Sequence, residues 1–214
     1  MPRRPATAVR RSRIRWGDDQ PIDADDARGR ILAAAIACID RAGATKLTVD
    51  DVAKAAAITR PTLYRYFGSR TELLVAVFLK LLDESLEHGL HDFFGTAETL
   101  DDLRDATAES FIYLLAVIRE HEAIQSILED TRIPVDELLT GATELLVGVM
   151  RSALEFVLAE SLEPSMLSWV RTGFTPESAA EWIIRLVYAF LVCPAPGREQ
   201  ELARLYLAPA FFVD

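Results

Sequence analysis

Two cysteines among 214 residues, Cys38 and Cys193, are too few and too far apart to form a disulfide framework or a thiolate metal motif. A reduced, cytoplasmic protein is expected. Free thiols are usually small buried hydrophobes, and redox sensing by Cys193 is the alternative. Long apolar runs are also missing. The longest, "LVYAFLVC" from Leu186 to Cys193, is far short of the ~20 residues that span a bilayer. No apolar stretch follows the arginine-rich start, so it does not read as a secretory signal. There is no phosphate-binding glycine loop, no GxSxG, no HExxH and no nucleophile–base set, so an enzyme is not expected and no cofactor is implied. No alternating strand pattern or repeat stands out, which leaves an all-α fold.

Half of the residues are hydrophobic, enough for one substantial core. Charge is unevenly spread. Residues 1–70 hold 14 Lys/Arg against 8 Asp/Glu, and residues 71–214 hold 9 against 25. A basic front and an acidic body point to a polyanionic partner for the front alone. Part of the basic charge is an arm, with Arg3, Arg4, Arg10, Arg11, Arg13 and Arg15, in a stretch 1–24 without sustained apolar period. Arg11, Arg13 and Arg15 are candidates to enter a minor groove beside the main site. The alternative is a solvated tail that adds only nonspecific affinity.

Residues 25–70 read as three short helices. Asp26 is the expected cap of the first, which runs to about Ala42 with Ile31, Leu32, Ala35, Ile36 and Ile39 on its apolar face. Gly43 ends it as a left-handed cap. Thr48 caps a second helix with Asp50 and Asp51 in its first turn. After a break at Ala57-Ile58, Thr59 caps a third, where Pro61 is tolerated because first-turn amides have no helical partner. Ser69-Arg70-Thr71-Glu72 is a capping box that starts a fourth. Residues 71–214 then read as a helical body, with helices at 69–92, 98–119, 121–130, from Pro134 to about 161, 176–192 and 198–211. The whole chain holds about nine helices.

Two short helices joined by a tight break, the second polar and basic, form the helix–turn–helix pattern of DNA-binding proteins. Taking Leu63 as the core direction and stepping 100° per residue, Pro61 and Arg65 point away, flanked by Thr62 and Tyr64. Arg60 or Arg65 has the donor fork for a guanine, and Pro61 and the Thr62 methyl suit a thymine methyl. Thr48, Tyr64, Tyr66 and Arg70 are placed to hold phosphates. An ordinary helical hairpin with a solvated face is the plain alternative.

The stretch "ILAAAIACIDRAGATKLTVDDVAKAAAITRPTLYRYFGSRTELLVAVF", Ile31 to Phe78, resembles the DNA-binding segment of the TetR family of bacterial transcriptional repressors, with "TLYRYF" followed by "SRTELL" as its most diagnostic part. The resemblance implies a homodimer on a palindromic double-stranded DNA operator and a C-terminal helical domain with an internal ligand cavity. It carries base reading onto Arg60, Pro61, Thr62 and Tyr64, and phosphate contact onto Thr48, Arg65, Tyr66 and Arg70. Two positions depart from the family pattern. Ala57 stands where glycine is usual, so the turn either avoids positive φ or carries strain of about 1 kcal/mol. Asp50 stands where some members have a basic residue facing the groove. An acid there points elsewhere or accepts from a cytosine amino group.

In the body, "WIIRLVYAFLV" carries a single charge, Arg185, on a helix apolar nearly all round. Trp182, Arg185, Leu186 and Ala189, with Leu202, Leu205 and Tyr206 from the last helix, are candidates for a four-helix dimer interface. Completing the monomer core is the alternative. Phe94, Phe111, Tyr113, Val117, Leu128, Leu146, Met150, Trp169 and Phe174 are candidates to line a cavity, whose apolar character suggests a lipophilic small-molecule effector. The broken segment 162–175 could act as a lid. Glu84, Glu87, His88 and His91 share one helical face at spacings a divalent ion can use, though a solvated polar face is commoner. The expectation is a ligand-responsive repressor. An architectural DNA binder and a metal sensor are the alternatives.

Overall fold

The computed structural model describes residues 20–94, 98–156, 173 and 175–212. The arm with Arg11, Arg13 and Arg15, the segment holding Trp169, and Phe174 lie outside the described residues, as do the side chains of Glu87, His88, His91, Phe94 and Met150.

Helices carry the described chain. α1 (Ala24–Ala42), a 3-10 turn (Ala44–Lys46), α2 (Val49–Ala55) and α3 (Arg60–Tyr66) form the headpiece, and α4 (Arg70–Phe94) leads into the body. There follow α5 (Leu100–Glu120), α6 (Glu122–Leu128), α7 (Val135–Phe156), α8 (Pro176–Val192), α9 (Glu199–Tyr206) and α10 (Ala208–Phe211).

Local chemistry sets most of these boundaries. Asp23, not Asp26, caps α1: its carboxylate accepts from the amides of Asp25 and Asp26 at 3.0 and 2.8 Å. Asp26 is engaged elsewhere, accepting from the Ile22 amide at 2.9 Å and from Arg30 Nε one turn on at 3.0 Å. Gly43 takes φ 82°, ψ 154°, a region costly for any residue with a Cβ, and its amide donates to Ile39 at 2.7 Å. At α4, Ser69 Oγ accepts from the Glu72 amide at 2.9 Å while the Glu72 carboxylate accepts from the Gly68 amide at 2.8 Å. This is the expected box, shifted by one residue on its return bond. Thr99 and Thr175 cap α5 and α8 with complete boxes.

The expected last helix is two. α9 stops at Tyr206, and α10 restarts with Pro209 in its first turn. Proline has no amide hydrogen to donate back, so the continuous run read from periodicity fails there.

A single apolar core runs through headpiece and body. Ile31, Leu63, Phe67, Leu73, Leu74 and Val77 are fully buried where α1, α3 and α4 meet. Each such side chain contributes roughly 2–3 kcal/mol by leaving water. The core continues through Phe111, Leu115, Ile124, Ile127 and Leu146 into Ile183, Val187 and Phe190 of α8. α4 packs on α5 and α7, α7 on α8, and α5 on α9. Gly141 lets α7 approach α4: a Cβ there would meet Leu79 Cδ1 at 3.0 Å. Among the described residues, no helix is long and apolar enough to cross a membrane.

Candidate nucleic-acid interface

The headpiece is built around one tight turn. Thr48 Oγ1 caps α2, accepting from the Asp51 amide at 3.2 Å. The chain leaves α2 through Ala56 and reverses at Ala57, whose φ is 54°. The turn therefore keeps the left-handed geometry that glycine usually supplies, with an alanine in it. The Ala57 amide donates to Lys54 at 3.1 Å and the Ile58 amide to Ala53 at 2.9 Å, which hold the conformation despite its steric cost. Thr59 then caps α3, accepting from the Thr62 amide at 3.3 Å.

α3 anchors through Leu63, and Phe67 follows it into the core; both are fully buried. Arg60, Pro61, Tyr64 and Arg65 stand on the outer surface, with Tyr64 41 % exposed. Thr62 departs from expectation. It is 7 % exposed, and its hydroxyl lies 2.9 Å from that of Thr59. Stepping 100° from Leu63 puts Thr62 and Tyr64 on opposite flanks, and the protein closes the flank that holds Thr62. Its methyl is therefore not offered to a base.

Arg60 is tied to α2 by Asp50. Its Nη1 donates to Asp50 Oδ2 at 3.2 Å, and its Nε lies 3.1 Å from Asp50 Oδ1 as an ion pair. Tyr64 beside it, reinforced by the Asp50 charge, keeps the guanidinium above its ordinary pKa. Asp50 thus points at Arg60. Arg65 lies over the Tyr66 ring at 5.1 Å and donates to its hydroxyl at 3.4 Å. Arg28 of α1 donates to the Tyr66 carbonyl at 2.6 Å and stacks on Phe67 at 4.3 Å, fixing the end of α3 to α1.

Arg70 is the second departure. Its guanidinium does not face a phosphate site. It donates to the carbonyls of Leu47, at 2.9 Å, and Ala44, and to Asp130 Oδ2 at 2.7 Å. Asp130 lies just beyond α6, and its side chain is only 2 % exposed. Arg132 completes the cluster, donating to Asp130 from Nε at 2.7 Å and from its terminal nitrogen at 2.8 Å, and also to the Thr45 carbonyl. Ser126 of α6 accepts from the Ala44 amide at 2.7 Å. The 3-10 turn of the headpiece is therefore pinned to the α6–α7 corner of the body. The Arg132 hydrogen bonds, opposed by burial and aided by Arg70, hold the Asp130 carboxyl far below the usual carboxylate range. Residues 60 positions apart make this contact, so no local pattern could have announced it.

In the body, Phe111 and Leu146 are buried in the shared core, and Phe111 meets Phe190 edge-on at 5.5 Å. Tyr113 donates to the Ser85 carbonyl at 2.9 Å and packs on Phe93. Val117 is half-buried. Leu128 is 39 % exposed at the end of α6, which turns it away from any interior cavity. A cleft of about 450 Å³ opens between the starts of α4 and α7, lined by Ser69, Glu72, Val75, Asp136, Glu137 and Thr140. It is acidic and shares no residue with the expected ligand set. Glu84 pairs with Lys80 at 2.7 Å, and no metal-binding group of His, Cys, Asp or Glu occurs among the described residues.

The interface candidates on α8 and α9 are largely outward. Trp182 is 51 % and Tyr206 64 % exposed; Arg185, Ala189 and Leu205 are also exposed, and Leu186 and Leu202 half-buried. Tyr188 and Val192 extend this apolar stripe and were not singled out from the sequence. Their spacing, three residues after Arg185 and Ala189, was the available signal. Cys193, just past α8, is exposed, while Cys38 is buried.

A helix–turn–helix headpiece with an outward basic and aromatic second helix, fused to a helical body, is the architecture of a transcriptional regulator. Residues 31–77 match the family model described as bacterial regulatory proteins, tetR family. The chain is 28 % identical over 185 residues to an uncharacterized HTH-type transcriptional regulator of Mycobacterium tuberculosis, covering 85 % of this chain and 82 % of that one. It is 24 % identical over 161 residues to the fatty acid metabolism regulator protein of Bacillus subtilis, covering 72 % and 82 %. Its fold is similar to the TetR family repressor AlkX from Dietzia, with a TM-score of 0.60, 21 % identity and coverage of 90 % of this chain and 97 % of that one. The chain belongs to the TetR family of helix–turn–helix transcriptional regulators, a family of DNA-binding proteins and not of enzymes.

Proposed function

We propose that the protein is a homodimeric repressor that binds a palindromic operator and is released by a lipophilic small molecule. The observation that carries DNA reading is the outer face of α3, where Arg60, Pro61, Tyr64 and Arg65 stand around a single buried anchor, Leu63. Arg60 and Tyr64 serve the bases, and Thr48, Arg65 and Tyr66 the phosphates that set register. The exposed large apolar side chains Trp182, Tyr188 and Val192 of α8 and Tyr206 of α9 support self-association, because exposed apolar surface gathered on a few elements marks interaction sites. In a dimer of this design the two recognition helices enter major grooves about one helical turn, ~34 Å, apart.

Release needs a body that can move the headpiece. The Arg70–Asp130–Arg132 cluster supports such coupling, since it ties the turn before α2 to the corner after α6. A ligand that displaces α6 would pull directly on that turn. The apolar residues of α5 and α7, and the fatty acid metabolism regulator among the relatives, favour a lipophilic effector.

The test is fluorescence anisotropy of the purified protein on DNA from upstream of its own coding region, against scrambled DNA, across a salt series. Tight, selective binding with a steep salt slope is expected. Adding a long-chain fatty acid should then weaken it roughly 5- to 150-fold, a coupling of ~1–3 kcal/mol. Equal binding to both DNAs would overturn operator recognition. Binding unmoved by lipophilic ligands would leave a constitutive DNA binder.

A further inference from the structure

We propose that Asp50 is a positioning residue for sequence reading: from α2 it pairs with Arg60, so that the remaining donors of the guanidinium read a guanine in each operator half-site. The inference rests on α3 being the recognition helix.

Arg60 is the first residue of α3, the end of a recognition helix that meets base edges. Asp50 belongs to the first turn of α2, the other helix of the motif. Arg60 Nη1 donates to Asp50 Oδ2 at 3.2 Å, and Nε lies 3.1 Å from Oδ1, an ion pair that ties the guanidinium to α2. Arginine is otherwise a long side chain with much rotamer freedom to lose on binding. Here that freedom is already reduced, while both partners remain on an exposed surface.

The pair occupies one N–H of Nη1, and a guanidinium has more donors than this one. Its remaining terminal N–H groups can engage guanine O6 and N7, which present acceptors only. Charge decides against a phosphate. The pair is neutral as a unit, and a carboxylate beside a phosphate oxygen is repelled. Base edges carry no net charge and do not incur that repulsion. The same pairing argues against Asp50 reading a cytosine amino group, because its Oδ2 already accepts from Arg60 and its Oδ1 lies against Nε. Asp50 therefore restrains a flexible cation and leaves its other donors for a base.

The experiment uses the full chain and a pool of randomised duplexes, selected by binding and then sequenced. Wild type, Arg60→Ala, Asp50→Asn, Asp50→Ala and the double variant are compared, with melting curves for each. Wild type is expected to require a guanine at one position per half-site. Arg60→Ala should lose that preference by tenfold or more at that position alone. Asp50→Asn and Asp50→Ala should weaken the same preference several-fold and leave other positions unchanged. Adding Asp50→Ala to Arg60→Ala should do nothing further there. Freed from its acid, Arg60 should also gain phosphate contact, making the salt dependence of the Asp50 variants steeper. A changed preference at a different position would mean that Asp50 reads a base itself and overturns the proposal. So would Asp50 variants that bind all sequences more tightly with the guanine preference intact, since Asp50 would then act only as a repulsive charge. A wild type that selects no sequence would instead overturn the operator reading on which the proposal stands.

Discussion

Two outward faces of this molecule invite opposite partners. On α3, one fully buried leucine supports a face of arginine, proline and tyrosine, and each cation is held by a neighbour: Arg60 by Asp50, Arg65 by Tyr66. On α8 the large apolar side chains Trp182, Tyr188 and Val192 are exposed, and the one cation, Arg185, pairs with Glu181 of its own helix at 3.0 Å. The first face has oriented donors and little apolar area, which suits hydrogen-bond acceptors and phosphates. The second has apolar area and little free charge, which suits another copy of itself. Exposure alone does not distinguish them; the chemistry of what is exposed does.

The sharpest way to break the comparison is to put charge on the second face. Trp182→Asp combined with Val192→Asp should weaken dimerisation by at least ~100-fold, of order 3 kcal/mol, while helical content stays intact. Sedimentation velocity reads the oligomer, and loss of operator affinity should accompany loss of the dimer. A dimer that survives would move the interface off α8.

Asp130 tests whether the two faces communicate. Asp130→Ala leaves Arg70 without its charge partner and should cost about 3 kcal/mol in urea unfolding. Amide exchange at Ala44 and Leu47 should rise as the headpiece turn loosens. The pH dependence has a definite sign. The folded carboxyl titrates below its unfolded value, so its stabilisation is complete above the ordinary carboxylate range of ~4 and is lost as pH falls further. Wild type should therefore lose more stability than Asp130→Asn below about pH 4.

Tyr64→Ala probes the first face. The side chain is half outside the protein, so the melting temperature should hold while operator affinity falls roughly tenfold, about 1.4 kcal/mol. Unfolding of this variant would mean that Tyr64 belongs to the core. The smallest expected effect is a gain. Ala57→Gly removes a Cβ from a turn with φ 54° and should stabilise the headpiece by about 0.5–1 kcal/mol. No gain in the melting temperature would show that the entropy glycine adds to the unfolded chain cancels the relief.

The headpiece was the legible part of this chain because its signals are short-range. Thr48, Thr59 and Ser69 cap the helices expected of them, and Leu63 and Phe67, four apart, both reach the core. A cap acts within one turn and an apolar face repeats within two, so both are written in neighbouring residues. The split of the last helix was also local, at Pro209, and periodicity overrode it. Arg70 and Thr62 were misread for a different reason. Each sits at a position where its type suits DNA, but partners or neighbours elsewhere in the fold decide its direction.

Composition, charge asymmetry and the run from Ile31 to Phe78 by themselves determined that this is an all-helical regulator with a basic reading head on an acidic body. Those properties are sums and spacings, and folding does not change them. Which arginine faces outward was settled only in three dimensions. Arg60 and Arg70 are the same residue type ten positions apart, yet one meets an acid on the surface and the other an acid buried beyond α6. A guanidinium goes where its hydrogen bonds are completed, and those acceptors are brought to it by the packing of the whole chain.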